Sequence, residues 1–231
     1  MVTVDELRVA DAPEAWAALG FAVEGDVCAL GEVRLRFVGA NLGADGDGPP
    51  QESGAVAGGL FGWTLREVES TELDGLATAR SEAPPPAPAP QHPNGVTGLD
   101  HVVAITPQLQ RTVAALQAAG LDLRRIREDP TPAGAPRQAF FRLGPTILEV
   151  VQEPADVVAH NGSDRPAFFW GLALLAPEID ATVAGLGREL VSEVRDAVQP
   201  GRRIASLRRG AGLALPVALI TPPPPREAGA G

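Results

Sequence analysis

The chain has 231 residues, 45% of them hydrophobic, and a formal net charge of −10. That is enough apolar material for a sizeable core in one large or two small domains, and the charge argues against a protein that tracks nucleic-acid phosphates. All 19 basic residues are arginine, which removes every lysine-based mechanism.

The opening, MVTVDELRVAD, is acidic and has no apolar signal-peptide core, and no apolar run approaches a bilayer span. A soluble, cytoplasmic protein is therefore expected. Val2–Ala10 alternates as a half-buried strand does. Asp11 is expected to cap a short helix over Pro13–Leu19 that Gly20 closes. Cys28 is the sole cysteine, so no internal disulfide framework exists, and its apolar flanks suggest a buried side chain. Cys28–Gly39 reads as a hairpin turning near Gly31-Glu32. A loop follows from Ala40. Its Asp45-Gly46-Asp47-Gly48 run lacks the further oxygen ligands of a calcium loop. Leu60–Val68 reads as a strand. Residues 81–93 are proline-rich and extended, with His92 expected in solvent.

Beyond the linker the pattern sharpens. Leu99–Ile105 is a buried strand, and a helix after Pro107 puts Leu109, Val113 and Leu116 on one face before Gly120 ends it. Leu121–Glu128 is a strand, and Gln138–Leu143 with Thr146–Gln152 makes a hairpin. The order βαβββ then repeats: shifted by 70 residues, Asp100–Leu116 lies without gaps on Trp170–Leu186. Arg202–Pro222 supplies the closing hairpin. The N-terminal segment reads as a third, abbreviated copy, since Leu30–Val38 lies on Leu143–Val151. The tail from Pro222 is low-complexity and expected to be disordered. Residues 1–80 carry 14 acids against 5 arginines, whereas 81–231 carry 15 against 14. The expected division is an acidic partial module at 1–80, a linker at 81–96, a paired-module domain at 97–222 and a tail at 223–231.

Two tandem βαβββ units, with the strings GLDHVVA and TILEVVQ, resemble the vicinal oxygen chelate superfamily of glyoxalases, bleomycin-resistance proteins and extradiol dioxygenases. The resemblance covers Thr97 to about Pro222. It implies an α+β fold in which paired modules curl a mixed sheet into a cup, with a partial module added at the N-terminus. It also implies a small-molecule ligand and a homodimer, since paired-module arrangements are common in that family. By the resemblance His101 and Glu149 fall on two metal-ligand positions, and Glu149 becomes the candidate catalytic group. An imidazole and a carboxylate suit Zn, Fe, Mn, Ni or Co. The pattern is incomplete, because Gly171 stands opposite His101 in the next copy and Ala218 stands opposite Glu149. Glu6, Glu128, His160 and a group from another subunit are candidates for a third ligand.

The residues leave several readings open. His101 could be a satisfied core histidine, a metal ligand or a metal-free acid–base group. Glu149, mid-strand on an apolar face, needs a partner to offset burial; His101, Arg142, a metal or a ligand would serve. Arg142, Trp170 and Arg203 are candidate substrate contacts, though strand-edge arginines are more often solvated and tryptophans more often packing. Three functions follow: a metal-dependent enzyme of glyoxalase or dioxygenase type, a metal-free binder of the bleomycin-resistance kind, or a scaffold without ligand.

Overall fold

The computed structural model describes residues 1–39, 59–87, 90–131 and 134–224. The Asp45–Gly48 run and the tail after Pro224 lie outside the described residues. No helix among those described is long and apolar enough to cross a membrane.

The first βαβββ unit is β1 (Thr3–Val9), α1 (Pro13–Ala18), β2 (Val23–Glu24), β3 (Val27–Leu30) and β4 (Val33–Phe37). Two lone strands follow, β5 (Leu60–Arg66) and β6 (Thr78–Arg80). The second unit is β7 (Gly98–Thr106), α2 (Leu109–Ala118), β8 (Asp122–Arg127), β9 (Gln138–Leu143) and β10 (Thr146–Gln152). After α3 (Ala155–Asn161) comes the third: β11 (Phe168–Leu175), α4 (Ile179–Leu186), β12 (Arg195–Asp196), β13 (Arg203–Ser206) and β14 (Val217–Ile220).

Two open mixed sheets result. The smaller runs β2-β3-β4-β1-β5-β6 and the larger β12-β13-β14-β11-β7-β10-β9-β8. One rule generates both. The last strand of each unit lies parallel to its first (β4 to β1, β10 to β7, β14 to β11), and two first strands pair antiparallel at the centre, β7 with β11 and β1 with β5. Because β6 is parallel to β5 in the same way, these two strands are the two central strands of a further unit that has no helix and no outer strands. The N-terminal copy is thus complete in its strands, and the abbreviation expected of it falls on β5 and β6 instead.

Alternation gives each sheet one apolar face. Leu7, Val9, Leu35, Val102, Ala104, Leu148, Val150 and Leu174 are buried on those faces, and they join Trp16, Leu109, Leu116 and Ile179 from the helices in one continuous core. Trp63 of the smaller sheet meets Phe169 of the larger edge-on at 5.0 Å. The opposite faces carry the half-exposed residues, among them Glu6, Arg8, His101 and Glu149.

Two local expectations change. Asp11 does not cap α1, whose N-cap is Ala12. Its buried carboxylate instead accepts from Trp16 Nε1 at 3.0 Å and from the Ala214 amide at 2.7 Å, tying the first unit to the third. His92 is buried rather than solvated. Its Nδ1 accepts from the Ala22 amide at 3.0 Å and its Nε2 sits 2.9 Å from the Ala29 carbonyl, so the linker end is pinned onto the smaller sheet. Burial holds the His92 pKa below its ordinary value, against a smaller opposing pull from the Ala29 carbonyl. Cys28 is free and buried, and desolvation pushes its thiol up to about 12, which makes it inert at neutral pH.

Candidate functional site

The parallel register of β7 and β10 pairs His101 with Ile147 and Val103 with Glu149. Period-two geometry therefore puts His101, Val103, Ile147 and Glu149 on one face, the open face of the larger sheet. On β9 the register adds Phe140 beside Glu149 and Arg142 beside Ile147.

A bulge completes the arrangement. Between Ala173 and Leu174 of β11 the pairing skips a residue, leaving Asp100 extra on β7. A bulge breaks the alternation of sides, and here Asp100 Oδ2 comes within 2.7 Å of His101 Nδ1. A carboxylate can only accept, so Nδ1 carries a proton, and in the neutral ring Nε2 then keeps its lone pair. Behind Asp100 stands Arg202, a buried guanidinium contacting the carboxylate at 2.6 and 3.2 Å and anchored to the Thr221 carbonyl at 2.7 Å. Burial alone would raise the Asp100 pKa; hydrogen bonds from His101 and Arg202, with their charge, outweigh it and hold the group below its ordinary value.

On the other side of the ring, His101 Nε2 lies 3.5 Å from Glu149 Oε2. That gap is too long for a strong hydrogen bond. Gln138 donates to the other Glu149 oxygen. Desolvation raises the Glu149 pKa, opposed by His101 and the Gln138 hydrogen bond, pushed further up by Asp100 and lowered by Arg125. The result is a line of groups, Arg202–Asp100–His101–Glu149–Gln138, across the open face of the larger sheet. It holds an oriented imidazole lone pair and a carboxyl biased toward its neutral form, side by side. That pairing can take a proton at one atom of a ligand and hydrogen-bond another.

The remaining expected contacts are distributed differently. Arg142 shares the face with Glu149 but is exposed and donates to the Gly144 carbonyl at 3.1 Å. Trp170 is the extra residue of a second bulge, on β11, and is 43% exposed. Arg203 lies on the reverse face with Ala205, against α4, where it pairs with Asp180 at 2.8 Å. It does not reach the pair; its neighbour Arg202 does. In the sequence Arg202 reads only as the start of the closing hairpin, and neither Asp100 nor Gln138 stands out. Asp100 carried a signal, since Asp5 stands in the same bulge of β1, with the pairing skipping between Val4 and Glu6. Arg202 carried none, being 102 residues from its partner.

A resident metal was tested on the donor set. Nε2 and Oε2 at 3.5 Å could share one ion, and a carboxylate behind the ligating histidine is a usual support. The second half of the set is closed. A Cβ on Gly171 would stand 2.6 Å from the Pro216 carbonyl oxygen, so this position cannot take a side chain without backbone movement. Ala218 has no donor. Glu6 sits in the smaller sheet with Arg36 at 2.8 Å, Glu128 pairs with Arg137 at 2.6 Å, and His160 is exposed on α3. Among the described residues no group of three His, Cys, Asp or Glu could hold a metal. These residues do not fit an ion held by three protein ligands. A cleft of about 500 Å³ lined by Arg188, Val191, Ser192, Glu193, Arg195 and Arg208 includes neither member of the pair.

No family model matches the sequence, and comparison with curated proteins gives no match. Solved structures do show similarity. Methylmalonyl-CoA epimerase from Mycobacterium tuberculosis is 19% identical over 56% of this chain and 91% of its own, with a TM-score of 0.45. A hypothetical protein from Bacillus halodurans C-125 is 15% identical over 56% and 96%, TM-score 0.45. A variant of Streptomyces coelicolor methylmalonyl-CoA epimerase in complex with 2-nitronate-propionyl-CoA is 20% identical over 55% and 94%, TM-score 0.43. At these values the likeness concerns fold and carries no argument about activity.

Proposed function

We propose that this chain is a small-molecule protein of the vicinal oxygen chelate kind, in which the open face of the larger sheet takes the ligand and His101 with Glu149 handles one of its protons. The observation that supports it is the pair itself. Asp100 and Arg202 fix the His101 tautomer, and Glu149 sits 3.5 Å away with its carboxyl raised by burial. A carboxyl on an apolar face costs stability unless it has a use or a partner, and Gln138 satisfies only one of its two oxygens. In this reading Nε2 is the base, Glu149 is the hydrogen-bond donor, Asp100 and Arg202 are positioning residues, and Arg142 and Trp170 form the rim. Binding alone and proton transfer on a carbonyl-type ligand both use these roles.

The test is a thermal-shift screen of small carbonyl compounds against the wild type, His101→Gln and Glu149→Leu, the last removing both donor and acceptor. Ligands found with the wild type should lose about tenfold or more in affinity in both variants, the cost of a hydrogen bond to a charged or strongly polar group. Ligands that protect all three proteins equally would remove the pair from the site. The metal reading keeps one observation in its favour, the 3.5 Å spacing with Asp100 behind the ring. Elemental analysis of the untagged protein decides it. We expect no stoichiometric Zn, Fe, Mn, Ni or Co; near-stoichiometric metal that disappears in His101→Ala would restore the metal-dependent enzyme.

A further inference from the structure

Strand β8 reads DLRRIR, an arginine-rich edge whose ordinary purpose is to keep the sheet from pairing with other chains. Regular alternation from Asp122, which sits opposite Arg142 on the open face, would put Arg124 on that face and bury Arg125. The structure does otherwise. The pairing skips between Leu123 and Arg125, so Arg124 is the extra residue of a bulge, while Arg125 falls opposite Phe140 and Arg127 opposite Gln138. Phe140 and Gln138 are the β9 neighbours of Glu149 and Val151. The bulge therefore turns two arginines onto the face that carries the pair. Edge protection alone does not need this turn, since a charge on either side of the strand would serve.

The two are differently placed from the other arginines nearby. Arg124 pairs with Asp122 at 3.1 Å and Arg137 with Glu128 at 2.6 Å. Arg125 and Arg127 have no hydrogen-bond or ion-pair partner among the described residues. Arg125 is not left to wander: its guanidinium carbon lies 4.7 Å from the centroid of the Phe140 ring. Stacking on an aromatic face leaves the in-plane N–H groups free to grip an anion. Phe140 occupies the strand between Arg125 and Glu149, and strands are spaced about 4.8 Å apart. Arg125 thus stands two strands from the row that carries Glu149, roughly 10 Å, a reach that a small molecule spans. Its charge is also one of those that hold Glu149 down against burial.

We propose that Arg125, laid over Phe140 and seconded by Arg127, makes this site select a small ligand bearing an oxyanion, a carboxylate or a phosphate, with its reacting end at His101 and Glu149. The inference rests on the proposed ligand face and names the class of molecule that face accepts. The ligand's anionic group sits on the Arg125 fork, its apolar body lies along Phe140 and Val103, and its carbonyl or acidic hydrogen points to the pair. Neutral analogues lose the one strong contact and are discriminated against.

Benzoate, phenyl phosphate and the neutral near-isostere benzamide are the probes. Each is titrated into the ¹⁵N-labelled full chain at low salt while the arginine Nε–H signals are followed. The expected result is saturable movement of the Arg125 signal with one or both anions, binding at least about tenfold weaker for benzamide, and loss of that preference in Arg125→Gln. Arg125→Lys should recover only part of it, because a lysine has no fork and stacks poorly. Arg124→Gln, one residue away but on the bulge, should behave as the wild type. Movement with benzoate alone assigns a carboxylate and movement with phenyl phosphate alone a phosphate; either supports the proposal. Equal affinity for benzamide, no saturable binding of either anion, or unchanged anion binding in Arg125→Gln overturns it. The outcome is separable from that of the pair: anion binding lost in Arg125→Gln keeps this inference whatever the carbonyl-compound screen shows for His101 and Glu149.

Discussion

At the scale of single residues the site is a problem in placing a carboxyl where water is scarce. Glu149 is raised by desolvation, with His101 and Gln138 acting against that and Asp100 adding to it. The consequence for stability has a definite sign. Between the ordinary glutamate pKa and the raised native one, the native state keeps a proton that the unfolded chain has released. Stability therefore falls as pH rises through that window and is flat above it. Glu149→Gln keeps an acceptor for Gln138 and never ionises. It should be less destabilised, or more stable, relative to wild type above the window, with the advantage fading toward pH 4.5. Denaturant midpoints measured from pH 4 to 8 check this; a wild type whose stability rises through the same window relative to the variant would mean that Glu149 is held ionised. Asp100 has the opposite sign. Its lowered pKa contributes stability that is present above the ordinary aspartate value and disappears as pH falls below it.

At the scale of elements, much was legible because periodicity is local. The strands on either side of Gly144-Pro145 and the helix after Pro107 follow from apolar spacing and a closing glycine, and Gly120 does take the left-handed conformation, φ +87°. The association of His101 with Glu149 came from the resemblance, and the parallel register of β7 and β10 is what puts both on one face. What the residues could not show was anything set by a bulge or a distant partner. Arg125 and Arg203 illustrate the two cases. A one-residue slip turns the first toward the pair, and strict alternation turns the second away to Asp180. His92 departs from expectation for the same reason, since a proline-rich context says nothing about the Ala22 amide and the Ala29 carbonyl that hold the ring. Its lowered pKa gives a testable consequence. The unfolded chain takes up a proton below about pH 6.5 while the native ring stays neutral, so this element loses stability as pH falls from there toward the native pKa. His92→Ala should cost about 1–3 kcal/mol at pH 8, where two buried backbone groups lose their partner. The gap to wild type should narrow between pH 6.5 and 5 in urea titrations; a gap that widens on acidification would show a protonated native ring.

At the scale of the whole molecule, the chain repeats one unit and then differentiates the copies. Asp5 and Asp100 occupy the same bulge in the two sheets, yet their surroundings diverge. Asp5 is enclosed by Arg34 and Arg66 of the smaller sheet and by Ser81, the residue after β6. Asp100 spends its hydrogen bonds on orienting a histidine that faces outward. The position of Glu149 is taken in the smaller sheet by Arg36, which is itself paired with Glu6 and Asp26. Protein groups neutralise one another on one face, whereas the other keeps Nε2 and a carboxyl unspent. The two halves are nevertheless joined. They share a core, and Asp74, from the segment between β5 and β6, accepts from Arg111 at 2.8 Å and from Thr112 on α2, while its carbonyl accepts from the Ala167 amide at 2.8 Å. With that continuity, the acidic first 80 residues and the paired modules are expected to open as one cooperative body. The amides of Leu7 on β1 and Val102 on β7 should then exchange with the same free energy. Asp74→Ala, which takes the shared carboxylate from Arg111 and Thr112, should lower both by the same 1–3 kcal/mol or so. If hydrogen exchange showed protection lost at Leu7 and retained at Val102, the smaller sheet would be a separate folding unit, and the tie through Asp74 would be a contact between neighbours instead of part of one core.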